Sequence, residues 1–163
     1  DSSSEDGDAK ETESKSCTTG KETKEMSLHD IACSHCEDVY VPYGLSKYCT
    51  MCSLFKKCDP DHALSWGAYT AFFPTDEAFE GSAATVSSLS EKELCNVFSF
   101  HFHEGKAVNI DNLVCKGTLE MLNGKDSRTK CEGGEIYQKG FGNIKAGTLP
   151  KILAEHSWTG CNG

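Results

Sequence analysis

Tyr69-Thr70-Ala71-Phe72-Phe73-Pro74-Thr75-Asp76-Glu77-Ala78-Phe79 is the stretch whose reading decides the fold. The apolar residues around Thr70 make a short buried-strand pattern. Pro74 has no amide hydrogen to extend a ladder, so it stops the strand. Thr75, followed by Asp76 and Glu77, then reads as the cap and acidic first turn of a helix. Strand, proline break and capped helix lie within eleven residues, a tight joint that belongs in the core of a domain.

Working outward, Tyr48, Met51, Cys52 and Phe55 recur at helical spacing within residues 46–57, and Asp59-Pro60 ends that helix. Downstream, Ser90-Glu91-Lys92-Glu93 is a capping box, and Leu94, Val97, Phe98 and His101 follow it on one helical face. Beyond residue 107 the period changes to two. Residues 118–122 alternate, Asn123-Gly124 signals a hairpin turn, and residues 128–131 return. Gly133-Gly134 turns again into residues 135–138, and residues 149–153 form another short apolar element. Helices first and antiparallel strands after predict a single α+β domain over residues 45–163. The chain ends on Asn162-Gly163, a hairpin signal with no returning strand, so further residues are expected beyond Gly163.

Residues 1–27 carry eight acids and four bases, and only Ala9, Cys17 and Met26 are apolar. Such an acidic, low-complexity extension buries too little surface to offset its ordering entropy, and a protein partner is expected to order it. Residues 28–44 read as a cysteine-rich linker with a turn at Pro42 and Gly44. The formal charge of -9 and pI near 5.1 exclude nucleic acid, whose phosphates demand a basic footprint. No apolar run approaches the ~20 residues that span a bilayer, so the chain is expected to be soluble, or at most peripheral to a membrane complex.

Ten cysteines in a small acidic chain point to an oxidising compartment, extracellular or lumenal, with a thylakoid-type lumen as one alternative. All ten are disulfide candidates: Cys17, Cys33, Cys36, Cys49, Cys52, Cys58, Cys95, Cys115, Cys131 and Cys161. Their connectivity is not readable from spacing. Cys33-x-x-Cys36 and Cys49-x-x-Cys52 form two pairs whose four thiolates could instead hold a tetrahedral zinc, with His35 beside them. The spacer is shorter than in the usual two-pair zinc pattern, and disulfide staples holding the linker to the domain are the simpler account. No Asn-x-Ser/Thr sequon occurs.

Several landmarks, in order, resemble the fasciclin (FAS1) domain over residues 45–163. Residues 70–79 look like its first signature motif. Phe98-Ser99-Phe100-His101-Phe102-His103-Glu104-Gly105-Lys106 is similar to its central motif, and Thr118-Leu119-Glu120-Met121-Leu122-Asn123-Gly124 to its hairpin. Residues 152–163 look like the approach to its second signature motif, whose apolar strand is absent. The resemblance implies an antiparallel β core with helices packed on one side or edge. It also implies a binding role, as adhesion or matrix contacts, and no cofactor. It makes Phe100 and His101 the candidate binding residues. In some animal members a Tyr-His pair contributes to integrin binding; Phe100 lacks that hydroxyl and no Arg-Gly-Asp is present, so integrin binding is not expected.

Enzyme chemistry finds little support. There is no Gly-x-Ser-x-Gly elbow and no Gly-Lys-Ser/Thr phosphate loop, and Gly140-Phe141-Gly142 has Lys145 where a dinucleotide loop needs glycine. His101 and His103 would share a face on a strand as a metal pair, but His101 also fits the apolar helix face as a hydrogen-bonded structural histidine. The sequence therefore predicts a disulfide-stabilised binding module without a catalytic site. Its expected role is that of an accessory subunit whose N-terminal extension contacts a protein partner. A free secreted adhesion protein and a zinc-headed binding module are the alternatives.

Overall fold

A computed structural model describes residues 26–34, 36, 46–140 and 149–163. The expectations placed on residues 1–25, Cys17, His35, the Pro42–Gly44 turn and the loop after Gly140 lie outside these. Five α-helices occur among the described residues: α1 Leu28–Cys33, α2 Cys49–Cys58, α3 Asp76–Glu80, α4 Ala83–Ser88 and α5 Glu91–Ser99. A two-stranded antiparallel sheet joins β1 Tyr69–Ala71 to β2 Phe102–Glu104 with Thr70 opposite His103. A three-stranded sheet runs β3 Thr118–Glu120, β4 Asp126–Glu132 and β5 Glu135–Lys139 in that order. The α+β reading holds, with the strands divided between two small sheets.

The helices stand on local chemistry. Thr75 accepts the Ala78 amide at the start of α3, and Ser90 and Glu93 exchange hydrogen bonds at the start of α5. Asp76 does more than favour its own first turn. Its carboxylate accepts the Cys49 and Thr50 amides at 3.1 and 2.7 Å, so the signature motif caps the neighbouring α2. The α2 face read from sequence is buried, with Tyr48, Met51, Cys52 and Phe55 at or below 4 % exposure. Phe55 sits at the centre of an aromatic cluster, meeting Phe73, Phe98 and Phe102 edge-on at 5.0–5.9 Å.

Residues 28–33, expected as linker, form a helix that packs against α2. Ser27 and Asp30 build a capping box, and Leu28, Ile31 and Ala32 bury the i, i+3, i+4 face. The cap and the apolar spacing are both local sequence signals, set among closely spaced cysteines that suggest a linker. The α5 face is also narrower than expected. Phe98 is buried, but Val97 is 38 % exposed and the helix ends before His101.

Both expected hairpins form. Gly133 and Gly134, at φ of 60° and 80°, make the two-residue turn between β4 and β5. The Asn123-Gly124 turn closes a longer loop than the sequence pattern suggests, because β3 ends at Glu120. Met121 then buries itself and the Leu122 amide bonds to Phe102 O, linking the two sheets. The expected element at residues 149–153 lies along β5, where Gln138 donates to Pro150 O and Ile152 to Ile136 O.

Four disulfides are seen: Cys33–Cys52, Cys36–Cys49, Cys58–Cys95 and Cys115–Cys131. Cys161 is disulfide-bonded as well. The first two staple α1 and the residues after it to α2, as the simpler account of the paired cysteines anticipated. The four sulfurs of the zinc alternative are therefore tied up as two disulfides, and a disulfide sulfur is not the thiolate that zinc needs.

Candidate functional site beside the signature strand

The motif residues that look most functional are occupied structurally. Thr70 Oγ1 donates to Lys106 O and accepts the Val108 amide, both at 2.8 Å, pinning the segment after β2. Asn162 is 6 % exposed; its Oδ1 accepts the Leu28 amide at 3.0 Å and its Nδ2 donates to Leu64 O at 2.9 Å. Its own carbonyl accepts the Tyr69 amide at 2.9 Å. One buried amide thus ties α1, the turn at Ala63–Ser65 and β1 to the C-terminal residues. Sequence reasoning read Asn162 as half of a hairpin signal and missed its buried hydrogen bonds, as it missed the cross-helix role of Asp76. Each acts on a partner distant in sequence, so no local pattern announces it.

Between β1, α3, α5 and residues 150–159 lies a cavity of about 1020 Å³. Its walls are largely apolar and include Ala71, Phe73, Phe79, Val97, Ile152 and Trp158. Phe100 and His101, the candidate binding residues, both line it. Phe100 lies so close over Gly140 that a Cβ there would sit 2.4 Å from the ring tip. His101 Nδ1 lies 2.8 Å from Val97 O. Burial pulls its pKa below the usual 6.5, although the Val97 and Phe98 backbone hydrogen bonds oppose the shift.

His103 is on β2, and its Nδ1 meets Glu120 O at 2.8 Å. Each of the two histidines is thus held by a separate carbonyl, His101 by Val97 and His103 by Glu120. Among the described residues no group of three or more His, Cys, Asp or Glu side chains is arranged to hold a metal ion. A second histidine cluster joins α1 to the loop before β1. His29 stands edge-on to His62 at 4.7 Å and to Phe55 at 5.3 Å. Burial and the His62 charge lower the His29 pKa, against Asp30 and Asp59, which raise it.

No helix among the described residues is long and apolar enough to cross a membrane. Residues 46–156 match the family model described as the Fasciclin domain. No curated protein matches the chain. The match covers the joint at residues 69–79, the capping box, both hairpins and the greater part of the cavity wall.

Proposed function

Because the chain belongs to the fasciclin domain family, we propose that it works by binding another protein, as an accessory subunit of a larger assembly in an oxidising compartment. The family match carries this reading, since fasciclin domains are in general adhesion and interaction modules without enzymatic activity. Four disulfides fit an extracellular or lumenal setting. The partner contact falls on the acidic N-terminal extension. That segment holds eight of the chain's 25 acids and too few apolar side chains to fold by itself.

Limited proteolysis tests the assembly role. In the isolated chain, residues 1–25 should be cut early while the disulfide-bonded domain survives. In the native assembly the same bonds should resist. An extension that resists cleavage without any partner would count against the proposal. If the chain is a free secreted adhesion protein, it should instead migrate alone from its native source, with the extension cleavable.

A further inference from the structure

The three-stranded sheet buries one face and exposes the other. Along β4, Ser127 and Thr129 are buried, whereas Asp126, Arg128, Lys130 and Glu132 are exposed. On β5, Gln138 is buried and its amide and carbonyl bond Thr129 and Ser127. The strand register then sets the charges of the exposed face in rows. Glu120 lies opposite Asp126, and Arg128 lies between Thr118 and Lys139. Lys130 lies opposite Tyr137, which faces Lys151, and Glu132 lies opposite Glu135. Two cationic rows are thus bounded at each end by an acidic row.

Within the cationic rows, Lys130 pairs with Glu132 at 2.6 Å and Lys151 with Glu135 at 2.8 Å. Arg128 and Lys139 have no ion pair among the described residues, although they face each other directly across adjacent strands. Cross-strand neighbours stand about 4.5–5.5 Å apart, and like charges so placed are destabilising. A further cation stands just outside this sheet. Lys116, whose amide donates to Thr129 O just before β3, adopts φ of 68°, a left-handed conformation that favours glycine. A chain of net charge -9 has thus placed two cations opposite each other across β4 and β5, where like-charge repulsion disfavours them.

We infer that this exposed face of β3–β4–β5 docks a short acidic segment of the partner protein. The inference rests on the interaction-module reading and gives its partner a chemistry. Carboxylates crossing the strands would lie between Arg128 and Lys139, turning a repulsive pair into a clamp, with the half-buried Tyr137 beside them. The bounding acidic rows limit the footprint to a few anionic groups. A long polyanion following the strands would run onto Glu120 and Asp126 at one end and Glu132 and Glu135 at the other.

The test is a fluorescence-anisotropy titration of the full chain with a labelled Glu-Asp-Glu-Asp-Glu-Asp peptide at low ionic strength. Arg128→Ser combined with Lys139→Ser should weaken binding at least tenfold. Lys92→Ser with Lys106→Ser, which removes the same charge elsewhere, should change it less than twofold. Raising the salt to about 0.5 M should abolish binding, as screened surface charges require. The Arg128/Lys139 variant should melt no lower than the parent, so misfolding cannot explain the loss. Equal weakening by both pairs, or no saturable binding, would overturn the inference. So would saturable binding of dextran sulfate without binding of the peptide. Any of these results leaves the assembly role standing, because protection of residues 1–25 is measured separately.

Discussion

Asp76 holds two amides of another helix. Replacing it with asparagine keeps one acceptor but removes the charge, and the Cys49 and Thr50 amides lose a charge-assisted partner. Asp76→Asn should lower stability by about 1–2 kcal/mol, read as a lower urea midpoint with an unchanged slope. His29 sets a pH dependence. Its pKa in the folded protein lies below 6.5, so the unfolded chain binds the proton more readily. The stability this contributes is complete above pH 6.5 and declines as the pH falls toward the folded pKa. The urea midpoint should therefore drop between pH 7.5 and pH 5, and His29→Gln should show a smaller drop. Neither role is visible from composition. Asp76 was legible as a first-turn acid, but its partners lie more than twenty residues upstream, in a helix it meets only after folding.

Among the elements, those with a local signature were legible and those defined by a distant partner were not. The capping boxes at Ser90 and Ser27 are both written in four residues, yet the second sits among closely spaced cysteines that suggest a stapled linker. The β4–β5 hairpin follows from Gly133-Gly134, since glycine takes two consecutive positive φ angles without strain. The shortened β3 does not follow from local sequence, because Leu122 leaves the ladder for Phe102 on the other sheet. Helices α2 and α5 are clamped by Cys58–Cys95 across 37 residues. Replacing both cysteines with serine should destabilise the domain by about 2–4 kcal/mol, measured by thermal or urea unfolding under non-reducing conditions. The Phe55–Phe98 contact beneath the clamp should persist, since burial rather than the bridge holds those rings.

At the scale of the molecule, the sequence pattern pointed to the α+β class and to the fasciclin resemblance, and the family match over residues 46–156 agrees with both. Phe100 and His101, the candidate binding residues, lie on the cavity wall. The cavity itself was not legible. It is bounded by segments from both halves of the domain, and its volume depends on how two small sheets and four helices meet. The cationic rows were hidden for a related reason. Arg128 and Lys139 are ordinary surface residues in sequence and become neighbours only once the strand register is fixed.

The Asn162 latch has a consequence for synthesis. Helix α1 emerges 134 residues before the side chain that accepts its Leu28 amide. At ~5–20 residues per second, that interval is on the order of ten seconds. The Cys33–Cys52, Cys36–Cys49 and Cys58–Cys95 disulfides span only 13–37 residues, so their cysteines are available long before the latch arrives. On a translating ribosome these covalent staples can therefore set first, holding α1 against α2 while β1 waits for the carbonyl of Asn162.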